Sequence, residues 1–328
     1  MAPDADAGKS PRGTDPFAPL TAERLPVGDD HEVYVESIGR ADGIPAVYLH
    51  GGPGSGCQPD HRRLFDPARF HAILLDQRGA GRSRPKGGRD HNTLPHLIAD
   101  LELIREKFGF ERWMVVGGSW GATLGLAYAQ AHPHRVTALV LRATFLGTSQ
   151  ELEDAFLKTL PRFHPALYQD FLSLLTPEER SQPLSAYYRR ILDPDPAVHG
   201  PAARAWGETE RILSEHAPTR VRLDLAALHS SRTLPATPFM EAHYFAQGCF
   251  LRPGQLMAEA GKLAGIPGII VQGRYDLLCP PAISQALTEA WPTAEIRTVE
   301  SAGHTLYDPG VRNAVMQAVA DLASRVTA

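Results

Sequence analysis

The run Gly117-Gly118-Ser119-Trp120-Gly121 follows directly on the apolar stretch Trp113-Met114-Val115-Val116 and reads Gly-x-Ser-x-Gly. A serine in that setting can act as a nucleophile, because a sharp strand-to-helix corner lifts its Oγ above the sheet and needs small neighbours to do so. The hydroxyl is inert until an imidazole takes its proton and a carboxylate orients that imidazole. On such a corner the partners follow in the order serine, acid, histidine. Asp276 closes the segment Ile269-Ile270-Val271-Gln272-Gly273-Arg274-Tyr275, and His304 follows the strand-like stretch from Ile296 to Val299. Ser119, Asp276 and His304 are therefore the candidate triad. Asp308 is a rival acid, but it lies beyond the histidine and breaks the order.

Acyl transfer also needs fixed donors for the developing oxyanion. The loop His50-Gly51-Gly52-Pro53-Gly54 can expose backbone amides because its glycines reach conformations closed to other residues. With the amide of Trp120, the residue after the nucleophile, it completes an oxyanion hole. Other chemistries lack their patterns. Gly79-Ala80-Gly81 meets Arg84 where a dinucleotide loop needs its third glycine, Pro3 stands where a phosphate loop at Gly8-Lys9-Ser10 needs its first, and no His-Glu-x-x-His occurs. No cofactor and no metal is expected.

These residues must be carried by a sheet. Ala46-Val47-Tyr48-Leu49, Ala72-Ile73-Leu74-Leu75, Trp113-Met114-Val115-Val116, Val136 to Leu141 and Ile269-Ile270-Val271 are short apolar runs of the kind that form buried parallel strands. Helical patterns lie between them: Leu97, Leu101, Ile104 and Phe108 share one stripe, Ala122 to Ala131 is rich in helix formers, and Val311, Val315, Val319 and Leu322 mark a closing helix. The alternation predicts an α/β fold, a mostly parallel sheet flanked by helices. It stops after Arg142 and resumes near Ile266, with Pro-interrupted helical sequence between. The reading is an irregular lead-in over 1–27, a core domain made of 28–145 and 256–328, and an inserted helical cap over 146–255.

The 33 basic and 37 acidic residues among 328 carry no long run of one sign, which argues against nucleic acid or an anionic membrane as partner. No apolar stretch is long enough to span a bilayer, and the first twenty residues lack the pattern of a signal peptide. Three scattered cysteines, Cys57, Cys249 and Cys279, fit a reducing compartment and are assigned to packing. A cytoplasmic location is the expectation; oligomeric state is not legible.

Four motifs in order, His50 to Gly54, Asp76 to Ser83, Gly117 to Leu124 and Gly273 to Asp276, resemble the proline iminopeptidase (prolyl aminopeptidase) family of α/β-hydrolases. The resemblance implies a serine exopeptidase that releases N-terminal proline through an acyl-enzyme. Ser119 would be the nucleophile, His304 the general base and Asp276 its orienting acid, with the amides of Gly52 and Trp120 on the oxyanion. It further implies that carboxylates of the cap hold the substrate's free amine. Trp206-Gly207-Glu208-Thr209-Glu210 and Glu241-Ala242-His243-Tyr244-Phe245 place Glu210 and Glu241 at those positions. Thr209 stands where the family has a second Trp and Ala242 where it has Asn, so a wider pocket or less firmly held carboxylates are expected. Trp206 and Tyr244 are candidates for the pocket wall, and Arg78 and Arg82 for bracing nearby loops. The substrate implied is a small peptide or amino-acid amide with a free amino terminus. Two alternatives keep the scaffold: an esterase or amidase for a specialised small molecule, and a non-catalytic binding protein.

Overall fold

A computed structural model describes residues 15–326. Eight strands form one sheet in the order β1-β2-β4-β3-β5-β6-β7-β8. They are β1 (Thr21–Gly28), β2 (His31–Gly39), β3 (Ile44–Leu49), β4 (Phe70–Asp76), β5 (Trp113–Ser119), β6 (Val136–Thr144), β7 (Gly268–Gly273) and β8 (Ala294–Val299). From β4 through β8 every pairing is parallel, while β1 and β2 add an antiparallel edge. The expected irregular lead-in is thus corrected in part. Thr21 to Pro26 pair with β2, and their side chains stay largely exposed, so the strand is made by backbone bonding and leaves little apolar pattern to read. Residues 1–14, with Gly8-Lys9-Ser10, lie outside the described residues.

Strand alternation divides the core in two. Val47, Leu49, Ile73, Leu75 and Val115 face one side of the sheet, while Ala46, Tyr48, Ala72, Leu74, Met114 and Val116 face the other. The first face is covered by α1 (Leu94–Lys107) and α2 (Trp120–Ala131). Leu97, Leu101 and Ile104 supply the buried stripe of α1. Between β6 and β7 the described chain forms no strand. It contains the helices α3 (Ser149–Glu153), α4 (Leu160–Phe163), α5 (Pro165–Ser173), α6 (Pro183–Ile191), α7 (Pro196–Ser214), α8 (Leu225–Ser230), α9 (Thr237–Phe245) and α10 (Gln255–Ala258). Then α11 (Pro281–Ala290) precedes β8, and α12 (Pro309–Val326) buries Val311, Val315, Val319 and Leu322 against the second face.

Parallel strands all point their carboxyl ends the same way, so the loops after β3, β5, β6, β7 and β8 gather at one edge. The helical segment enters after β6 and lies over that edge, where its α7 and α9 share a cavity wall with Ser119 and His304.

Candidate active site

Ser119 ends β5 and caps α2 with φ 55° and ψ −122°, a conformation that costs a non-glycine residue about 1–3 kcal/mol. The corner is held by contact. A Cβ on Gly117 would lie 2.3 Å from the Gly121 carbonyl oxygen, and one on Gly121 would lie 2.1 Å from that of Leu49. Only glycine fits at either position, so the small residues around the serine are sterically required.

His304 Nδ1 lies 2.9 Å from Asp276 Oδ2 and 3.1 Å from Oδ1. Asp276 is buried, and its Oδ1 also accepts the backbone N–H groups of Leu278 at 3.0 Å and Cys279 at 2.8 Å. The carboxylate acts as acceptor throughout, which keeps the imidazole proton on Nδ1 and leaves Nε2 free to take one. Asp308 instead accepts the Gly303 N–H at 3.2 Å and braces the loop. The main-chain groups of His304 are held as well. Its N–H donates to the Ser214 carbonyl at 2.9 Å, and its carbonyl accepts from Arg142 Nη1.

Gly52 takes φ 102° and lines the same cavity as Ser119. Trp120 opens α2, where a backbone N–H has no intrahelical acceptor. Behind them, Trp120 Nε1 donates to Gln77 Oε1 at 2.8 Å, and Gln77 Nε2 donates to the His50 carbonyl at 3.0 Å. His50 Nε2 accepts the Gln77 N–H at 3.0 Å, so its proton sits on Nδ1, which donates to the Gly51 carbonyl. Burial lowers the His50 pKa and keeps the ring neutral. Arg78 pairs with Asp100 through Nε and Nη2, both at 2.8 Å, and Arg82 with Asp76 at 2.7 Å, so both arginines anchor the loop after β4.

The cavity over this edge has a volume of about 760 Å³ and is lined by Ser119, His304, Gly52, Glu210 and Glu241 among others. Glu241 is fully buried, and Trp206 Nε1 donates to its Oε2 at 2.7 Å. Its Oε1 has no other donor, and among the described residues no lysine or arginine pairs with Glu210 or Glu241. Burial, then the nearby charge of Glu210, holds the Glu241 carboxyl well above the ordinary range. Burial likewise raises Glu210, against the pull of His304. A fully buried and a half-buried carboxylate without a cation make a site whose electrostatics favour an ammonium ion.

A second, small cavity opens beside Ser119 between Phe145, Leu152, Phe156, Phe245 and Cys279, with Glu210 at its edge. Phe145, Leu152 and Phe156 are not legible as a site in the sequence, and Cys279 and Phe245 appear there only as packing and as part of the Glu241 motif, since the residues are far apart in the chain and carry no polar signature. Two expectations are corrected here. Neither Trp206 nor Tyr244 lines either cavity. Trp206 stacks on Phe156 at 4.4 Å and supports Glu241 from behind, while Tyr244 packs on Trp120 at 4.6 Å and donates to Asn92 Oδ1 at 2.7 Å. Large rings that must also satisfy a polar atom are drawn into the interior beside a partner. Arg142 is a further residue of the site that sequence reasoning misses; its signal is a single charge inside the otherwise buried stretch of β6.

A strained serine at a strand-to-helix corner, a His–Asp pair and a glycine loop on one sheet edge define a serine hydrolase, and residues 45–311 match the alpha/beta hydrolase fold family. The proline iminopeptidase of Neisseria meningitidis serogroup A is 41% identical over 309 residues, covering 93% of this chain and 96% of the relative. That of Arabidopsis thaliana is 39% identical over 298 residues, 90% of this chain and 78% of the relative. The chain belongs to the proline iminopeptidase family of α/β-hydrolases. Among solved structures, the proline iminopeptidase of Mycobacterium smegmatis aligns with a TM-score of 0.61 at 18% identity, over 93% of this chain and 98% of its own. A bacterial membrane phospholipase A aligns at 0.64 and 16% identity, over 95% and 88%. Both likenesses concern the fold alone. Among the described residues no helix is long and apolar enough to cross a membrane.

Proposed function

We propose that the chain is a serine exopeptidase that releases N-terminal proline, or a residue of similar size, from short peptides and amides. The observation that carries this reading is the unpaired Glu210–Glu241 carboxylate pair in the same cavity as Ser119 and His304. The substrate's ammonium lies against the pair and its ring in the small apolar cavity. Ser119 Oγ attacks the first carbonyl carbon while His304 Nε2 takes the hydroxyl proton and Asp276 steadies the imidazolium. The amides of Gly52 and Trp120 receive the oxyanion. Collapse breaks the C–N bond, His304 returns its proton to the leaving amine, and a water deprotonated by His304 then hydrolyses the acyl-enzyme. Residues 146–255 act as a cap that supplies the amine site. Three buried free cysteines support a cytoplasmic setting.

The test is hydrolysis of prolyl p-nitroanilide, its N-acetyl derivative and a neutral acetate ester, with Ser119→Ala as blank. The free-amine substrate should be turned over far faster than the blocked one, and Ser119→Ala should lose at least about 10⁴-fold in kcat. Equal turnover of free and blocked substrates would refute the amine requirement and leave an esterase.

A further inference from the structure

Helix α7 meets the active site three times. It carries Glu210, it carries Trp206, whose Nε1 holds Glu241, and it ends at Ser214, one turn beyond Glu210. The Ser214 carbonyl accepts the N–H of His304 at 2.9 Å and that of Thr305 at 3.1 Å. The approach is close: a Cβ on Gly303 would lie 2.8 Å from the Ser214 oxygen and 2.9 Å from the His216 nitrogen. On the other side the His304 carbonyl is bound by Arg142, whose guanidinium covers Gly118, where a Cβ would lie 2.6 Å from Nε and Nη2. The peptide of the base is thus gripped between the helix that senses the amine and the strand end beside the nucleophile.

Glu210 on α7 and Glu241 on α9 face one cavity, where each disfavours ionisation of the other, and a cation between them lets both carry their charge. An α-helix moves as a rod over one turn, so what shifts Glu210 shifts the Ser214 carbonyl. We propose that α7 is a linkage through which ammonium binding at Glu210 and Glu241 seats His304 for proton transfer, with Ser214 and Gly303 as positioning residues. The proposal rests on the amine-anchoring reading above. It means that a free amino terminus raises kcat as well as lowering KM, because displacing a catalytic group by about 1 Å costs on the order of 10²-fold.

The experiment uses the full chain and a substrate with no amine. Turnover of the neutral acetate ester is measured while pyrrolidinium is titrated in, with Ser119→Ala subtracting attack by the free amine. In parallel, pyrrolidinium is tested as a competitor of prolyl p-nitroanilide. The expected result is competition against the prolyl substrate and a saturable acceleration of ester turnover, about tenfold or more, over the same concentrations. Competition with no acceleration overturns the linkage and leaves the amine site standing; no competition overturns the amine site and the linkage with it. In Gly303→Ala, whose new methyl displaces the 214–216 backbone, the acceleration is lost and kcat for the prolyl substrate falls about tenfold or more, while KM and the competition constant stay within about threefold. An acceleration that persists in folded Gly303→Ala refutes the route through Ser214. A variant that does not fold leaves the wild-type titration to decide.

Discussion

Replacing Glu241 by Gln should move activity and stability in opposite directions. Glu241 is fully buried, keeps a 2.7 Å bond from Trp206 Nε1 that a glutamine oxygen can also accept, and has a carboxyl held well above the ordinary value of 4.5 by burial and by Glu210. A carboxyl raised in the fold is one whose ionisation costs stability: the cost begins as pH rises above the unfolded value near 4.5 and is complete above the raised value. At neutral pH the fold therefore carries a cost for this carboxyl that Gln lacks, and Glu241→Gln should stabilise by roughly 1–2 kcal/mol. That corresponds to a rise in Tm of about 1.5–3 °C, fading as the pH is lowered below the unfolded value. For catalysis the charge is needed. An ammonium about 4 Å from a carboxylate at an effective dielectric near 20 gains about 4 kcal/mol. Allowing for desolvation, a loss of about 2–4 kcal/mol lowers kcat/KM for prolyl p-nitroanilide by roughly 30- to 1,000-fold. The acetate ester should be cleaved as before. Thermal melts at neutral and acid pH, beside kinetics on both substrates, decide it. An equal loss on ester and amide, or a lower Tm at neutral pH, would refute the reasoning.

Asp276→Asn should lower kcat by about 10⁴-fold with KM little changed, because the amide can leave the His304 proton on the wrong nitrogen; activity within tenfold of wild type would count against the pair. Gly121→Ala places a methyl against the Leu49 carbonyl and should yield no soluble protein at 37 °C, so recovery of a wild-type melt would show that the corner has slack. Phe156→Ala opens the small cavity and should shift the ratio of prolyl to leucyl p-nitroanilide turnover about tenfold toward leucine. An unchanged ratio would place ring recognition elsewhere.

The candidate triad is legible in the sequence because each member sits near a strand end, and buried strands announce themselves as short apolar runs. The same signal made the sheet from β3 to β7 legible and left β1 obscure, since an exposed edge strand is held by backbone bonds that any side chain permits. Glu210 and Glu241 were reached through motif resemblance alone; on their own, glutamates in helical sequence read as a solvated face. Their burial depends on how α7 and α9 pack, which no local pattern specifies. Trp206 was placed at the right site in the wrong layer, because composition shows an aromatic but not whether its ring or its N–H is what the site uses. The hold of Ser214 on His304 involves only main-chain atoms, and its one trace in residue type is Gly303, where a Cβ would lie 2.8 Å from the Ser214 oxygen.

The departures at Thr209 and Ala242 fall behind the cavity wall. Both residues are buried and neither lines a cavity, so the wider pocket expected from them does not arise by direct contact. Thr209 Oγ1 has no hydrogen-bond partner and Ala242 offers no side-chain donor, so Trp206 is the side-chain donor to Glu241. Its ring is fixed by Phe156 on one face, nearly parallel at 17°, and by the edge of Tyr188 at 5.5 Å. Phe156 also lines the small cavity beside Ser119, so in the proposed binding mode the surface that meets the substrate's ring is also the surface that steadies the donor to Glu241. Ring and amine are then read by one contiguous stack. Packed side chains transmit a shift of one member to the next because interiors leave no room to absorb it, and selectivity for a small ring and for a free amine should not be separable by single substitutions in that stack.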